Sequence, residues 1–143
     1  DKMNYSIKTL IIASALTLGA SSVSAQAQHV NEQPQEVETL TKGDNDTYII
    51  NTTNIGAGVR GYRGPVPLLI TIQKDKVQSI ETLPNRETRK YMRFVSPILE
   101  KWNGLTVKKA LKAEVDGVTG ATFTSNAIKE NVKLGLEYYK KNK

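Results

Sequence analysis

The 143-residue chain has no cysteine and a single histidine, His29. Without cysteine it has no disulfides, no thiolate-held iron–sulfur cluster, no haem attached through Cys-x-x-Cys-His and no thiolate zinc site. One imidazole among scattered carboxylates does not make a stable transition-metal site. A Ser-His-Asp arrangement would have to recruit His29 from a polar tail. Any redox chemistry must therefore be borrowed from an organic cofactor. Phenylalanine and tryptophan are also scarce, two and one beside six tyrosines, and such residues in a small domain usually pack inside it. Phe94 and Trp102 are accordingly expected to cover a sheet.

The N-terminal apolar run, Thr9 to Ala20, is preceded by Lys8 and closed by the small residues Val23-Ser24-Ala25. It falls short of the roughly 20 apolar residues of a membrane helix. A charged start, a short apolar centre and an A-x-A-like end describe a secretory signal peptide over residues 1–25, with Met3 as initiator and cleavage after Ala25 or Ala27. The expectation is an exported protein, periplasmic or on the outer face of the cytoplasmic membrane. No cysteine is available for lipid attachment. Cleavage would remove Lys2, Lys8 and Asp1 and take the net charge from +6 to +5 over 118 residues, a length that suits one small core. This positive balance is compatible with anionic partners, but it is spread along the chain, as on an ordinary solvated surface, and no nucleic-acid partner is expected.

Residues 26–46 are rich in Gln, Glu, Asn and Asp and read as a flexible linker. The domain is expected over 47–143. Tyr48-Ile49-Ile50 and Val59-Arg60-Gly61-Tyr62 suggest short strands. Leu68 to Ile72 and Val77 to Leu83, joined at Lys74-Asp75-Lys76, make the clearest hairpin. A helical turn is expected over Lys90–Val95, then a short helix led by Pro97 and ended by Gly104. Leu105 to Ala113 is ambiguous, with Thr106 a possible cap. Val115 to Val118 is strand-like. In the last helix Ile128, Val132, Leu136 and Tyr139 share one face, and Glu137 is placed to pair with Lys141. Strands followed by helices predict an α+β fold: a small antiparallel sheet with helices packed on it, in a single two-layer domain.

Asp116-Gly117-Val118-Thr119-Gly120-Ala121-Thr122-Phe123-Thr124-Ser125 sets a threonine hydroxyl on a small-residue loop before that helix. Gly120 and Ala121 leave little bulk beside Thr122, and a helix N-terminus favours an anionic group. Taken alone, the stretch is equally a turn and an N-cap, with Thr124 or Ser125 as the capping side chain. Thr122 would precede that cap and is not needed for it.

Asp-x-x-Thr-Gly-Ala-Thr resembles the flavinylation motif of the FMN-binding domain family, which includes the C subunit of the sodium-translocating NADH:quinone oxidoreductase. The resemblance extends to Gly61-Tyr62-Arg63-Gly64-Pro65 and to Glu87-Thr88, covering roughly residues 58–139. It implies FMN held by a phosphoester to Thr122 and installed from FAD by a magnesium-dependent flavin transferase. Asp116, Thr119, Gly120 and Ala121 would be the motif partners of Thr122, and Thr124, Ser125, Glu87 and Thr88 would line the site. Glu87 and Thr88 have an alternative role, capping the helix that follows. Where many relatives continue Glu-Thr with Pro-Gly and a further glycine, this chain reads Arg89-Lys90-Tyr91, which changes the loop over the flavin. Asp116 is expected to present the loop to the transferase, by accepting backbone N–H bonds or helping to hold a cation.

With no acid–base group identified for a private substrate, the flavin would pass electrons between redox partner proteins, free or in a membrane complex, rather than serve a stand-alone enzyme. The alternative is a non-redox extracytoplasmic binding module that keeps the fold without flavin.

Overall fold

The computed structural model describes residues 36–143, so the expected signal peptide and residues 26–35 of the expected linker lie outside the described residues. Four strands, β1 (Leu40–Lys42), β2 (Thr47–Asn51), β3 (Leu68–Gln73) and β4 (Lys76–Thr82), form an antiparallel meander in the order β1-β2-β3-β4. Three helices follow: α1 (Arg89–Val95), running into a 3-10 turn (Ser96–Glu100), α2 (Val107–Lys112) and α3 (Thr122–Asn142). The domain is the small α+β arrangement that the pattern of elements predicts.

The sheet buries one face. Tyr48 and Ile50 of β2 and Leu68, Ile70 and Ile72 of β3 alternate inward. The alternation breaks in β4, where the buried residues Val77 and Ile80 are three apart. The pairing explains the break, because Thr71 faces Ser79 while Ile72 faces Val77, which leaves Gln78 as a bulge that resets the pleat. The β3–β4 turn is Lys74-Asp75, with φ of 49° and 63°, the left-handed pair that a two-residue hairpin needs.

Across the buried face lies α3. Ile128, Val132, Leu136 and Tyr139 are all buried, as their spacing predicts, and Gly135 lets the helix approach closely. A Cβ on Gly135 would stand 2.6 Å from Ile70 Cδ1 and 3.1 Å from Thr52 Cγ2. Buried Asn131 ties α3 to the segment before β3 by donating to Val66 O at 3.0 Å. Trp102 is in the core, 3% exposed.

Several expectations are corrected. The sheet starts at β1, inside the stretch expected to be linker, because three backbone pairs with β2 suffice and only Leu40 packs inward. Val59–Tyr62 is no strand. It makes a single bridge, Arg60 with Pro65, and the backbone N–H of Tyr62 goes to a side chain instead of a ladder. Val115–Val118 is also not a strand, since the Val118 N–H is taken by Ser125 Oγ at 3.3 Å. Phe94 is 49% exposed on the outer side of α1, with Lys90 Nζ 6.0 Å from its ring centroid, and Val95 is that helix's buried residue. Glu137 and Lys141 do not pair. Among the described residues the one ion pair is Lys143 with Asp75, at 3.2 Å. The ambiguous stretch resolves into α2, with Thr106 Oγ1 accepting from Lys109 N at 3.2 Å.

Tyr139 closes the far end of the core. Its ring meets Tyr48 edge-on at 5.3 Å and its hydroxyl donates to Asp75 Oδ1 at 3.0 Å. Burial, reinforced by the hydrogen bond to Asp75 and its charge, raises the phenol above the ordinary tyrosine range. A raised folded-state value means that this contribution to stability is fully present below pH ~10, the unfolded value, and is lost as the pH rises beyond it. Tyrosine absorbance titration should therefore show one late-titrating phenol that is missing in Tyr139→Phe. That variant should lose about 1 kcal/mol at neutral pH in denaturant unfolding.

Candidate functional site

The site is assembled around a buried carboxylate. Glu87, 8% exposed, precedes α1. Its Oε1 accepts from Tyr62 N–H at 2.7 Å and from the Thr124 hydroxyl at 2.8 Å, and its Oε2 accepts from Arg63 N–H at 2.7 Å. Three donors replace the water that the carboxylate has lost. They join the 61–64 loop, the stretch before α1 and the first turn of α3. Gly61 is required here, because a Cβ at that position would collide with Glu87 Oε1. Asn85 Oδ1 supports the carboxylate from behind by accepting Glu87 N–H at 3.0 Å. The alternative role, capping α1, is not what Glu87 does.

Above this clamp the 116–121 loop delivers Thr122 as the first residue of α3. Gly120 turns the chain with φ of +85°, a conformation L side chains rarely adopt, and Ala121 N–H returns to Val118 O at 3.0 Å. Ser125 fixes the loop from inside. Its hydroxyl accepts from Val118 N–H and donates to Ala121 O at 2.8 Å. The expectation that Thr124 or Ser125 caps the helix is thus corrected: both lie inside the first turn and are buried, Thr124 committed to Glu87 and Ser125 to the loop. The cap position falls to Ala121, whose side chain offers no acceptor, so no side chain caps α3. The first turn keeps N–H groups free beside an exposed Thr122 hydroxyl.

The other expected site residues are placed as follows. Asp116 and Thr119 are exposed, and neither side chain makes a hydrogen bond among the described residues. The loop-stiffening role expected of Asp116 is filled by Ser125. Thr88 occupies the cap position of α1, but its hydroxyl makes no capping bond.

Three residues that sequence reasoning missed complete the site. A cleft of about 260 Å³ is lined by Tyr62, Tyr91, Phe123 and the stretch Gly120–Thr124. Tyr62 and Phe123 are 66% and 64% exposed with ring centroids 6.2 Å apart, and Tyr91 meets Tyr62 edge-on at 6.2 Å. Large aromatics left in solvent beside a free hydroxyl and an uncapped helix end fit a ligand with a planar ring and an anionic tail. The signal lay in the sequence, with Tyr62 between two glycines and Phe123 next to Thr122. Phe94 and Trp102, expected to cover the sheet, do not line the cleft.

A family model described as an FMN-binding domain matches residues 61–137, which include the 61–64 loop, Glu87, α1, α2 and the Thr122 loop. No match was found among curated proteins or solved structures.

Replacing Glu87 by Gln puts an amide N–H against a donor whichever way it turns. The variant should lose about 1–3 kcal/mol in denaturant unfolding, whereas Thr88→Ala should stay within about 0.5 kcal/mol of the parent. Equal effects would show that the carboxylate is not the joint of the site.

Proposed function

The chain belongs to the FMN-binding domain family and FMN is its cofactor. From that premise we propose that it carries the FMN covalently, through a phosphoester to Thr122, and passes electrons between redox partners outside the cytoplasm. The observation that carries this reading is the state of Thr122: an exposed hydroxyl at the uncapped N-terminus of α3, on the wall of an aromatic cleft. The neighbouring threonine of the same turn, Thr124, is buried and bonded to Glu87, so it is not free to react.

The parts of the site have separate tasks. Free N–H groups of the first turn of α3 stabilise the phosphate at Thr122. Gly120 and Ala121 keep the approach clear for a flavin transferase, and Asp116, exposed and uncommitted, offers that enzyme or its magnesium ion a carboxylate. Tyr62 and Phe123, both exposed on the cleft wall, would present apolar ring surface to the isoalloxazine. When bound, FMN supplies reversible acceptance of one or two electrons, and an open ring suits exchange with a docked protein. Export through a signal peptide over residues 1–25 would bring the domain to partners on the outer face of the membrane.

Co-expression with a magnesium-dependent flavin transferase should give a yellow protein whose intact mass carries one FMN. Thr122→Ala should abolish the adduct and change stability by no more than about 0.5 kcal/mol, as expected of an exposed hydroxyl. Undiminished flavin in that variant would place the attachment elsewhere. A colourless, unmodified parent would favour a flavin-free binding module. Asp116→Asn should slow attachment severely with thermal unfolding unchanged, and flavinylation at the parental rate would remove Asp116 from the presentation role. N-terminal sequencing of exported protein should find Gln26 or Gln28 first.

A further inference from the structure

Positive charge is spread along this chain, but arginine is not. All five arginines, Arg60, Arg63, Arg86, Arg89 and Arg93, fall between residues 60 and 93, and every other cation from end to end is lysine. They stand on the two segments that the Glu87 carboxylate holds together, the 60–64 loop and the 86–93 stretch. All five are exposed, as is Lys90 among them. None has an acidic partner within 4.0 Å, because the one ion pair among the described residues is Lys143 with Asp75. The only acid in either segment is Glu87, which is buried and fully engaged. The face beside the cleft therefore carries an excess of cations, with Glu100 the one acid on the adjoining groove.

The geometry adds a second element. Tyr91 lines the aromatic cleft, while Arg89, Met92 and Arg93 of the same helix border an open groove of about 1010 Å³ whose other walls include Pro97, Leu99 and Glu100. Apolar Met92, Pro97 and Leu99 set beside two arginines have the make-up of a protein–protein contact. Arginine is also the specific choice for it. The planar, weakly hydrated guanidinium takes a fixed carboxylate through two parallel bonds, whereas lysine, used everywhere else on this domain, serves as a solvated point charge.

We infer that this arginine-rimmed face is the docking surface for an acidic protein that exchanges electrons with the flavin. The inference rests on the reading of Thr122 as the flavin carrier. Field from the rim steers carboxylate-rich surfaces toward the cleft, so that the docked partner covers the exposed ring edge.

Hexacyanochromate(III), an inert paramagnetic trianion, tests the surface on flavin-free full chain by NMR. Amide broadening should concentrate at residues 60–64 and 86–93. It should fall about fivefold or more in the double variant Arg89→Glu/Arg93→Glu, while Lys108→Glu/Lys140→Glu leaves it in place. Uniform broadening, or broadening centred on the lysine-lined groove of Lys108, Lys112, Lys140 and Lys143, overturns the proposal. In flavin-loaded protein, two ferricyanide ions each take one electron from reduced FMN, which is oxidised and releases two protons. That rate should fall about tenfold between low and physiological salt, and comparably in the arginine double variant. Oxidation by uncharged benzoquinone, which takes up both electrons and both protons, should stay constant. An equal response to the lysine variant overturns the proposal, as does arginine-dependent sedimentation with anionic phosphatidylglycerol vesicles, which would assign the face to lipid. A chain that never acquires flavin defeats the Thr122 reading, and the hexacyanochromate measurement still decides this one.

Discussion

The carboxylate of Glu87, withdrawn from water and held by two backbone N–H groups and one hydroxyl, is the joint on which the site depends. A buried carboxylate is tolerated only where hydrogen bonds replace its hydration. Here the three donors come from the 61–64 loop and from α3, elements far apart in sequence. Satisfying the charge therefore also fixes their relative position. Tyr62 stands where it does because its own N–H is one of the three. Thr124 faces inward for the same reason, which turns its neighbour Thr122 outward.

This arrangement accounts for a division of labour among adjacent hydroxyls. Thr122, Thr124 and Ser125 occupy the first turn of one helix, yet one is free, one bonds the carboxylate and one shapes the preceding loop. Successive residues on a helix point about 100° apart, so Thr122 and Thr124 stand about 200° apart and the hydroxyl of one turns outward while that of the other reaches Glu87. The helix end lacks a capping side chain because Ala121 fills that position. Those free N–H groups would be a local defect in an ordinary helix, and the proposed phosphate at Thr122 would give them a partner.

The sheet and α3 supply the rigidity behind it. Gly135 brings the helix down on Ile50 and Ile70, and Asn131 bonds the backbone just ahead of β3. The end of α3 that carries Thr122 is thus anchored through its own body to the core. The cleft is small and open, and its aromatic rings lie on the surface, so access to it is built into the fold while the core stays closed.

Much of this was legible in the residues alone. The β3–β4 hairpin shows in its branched arms and short polar turn, and α3 in its apolar stripe, because each is written in consecutive residues whose local physics suffices. The bulge at Gln78, the three-residue β1 and the exposure of Phe94 were not legible, since each depends on which backbone or core surface a neighbour offers. The role of Glu87 was equally hidden. As a residue type it fits a helix cap, and only the meeting of the 61–64 loop with α3 supplies the donors that make it a buried clamp. The sequence by itself determined the β3–β4 hairpin, the apolar stripe of α3 and the threonine that opens that helix. The tertiary structure alone decided which hydroxyl is free, which aromatics flank it and where the arginines gather, because those are contacts between segments that chain order leaves open.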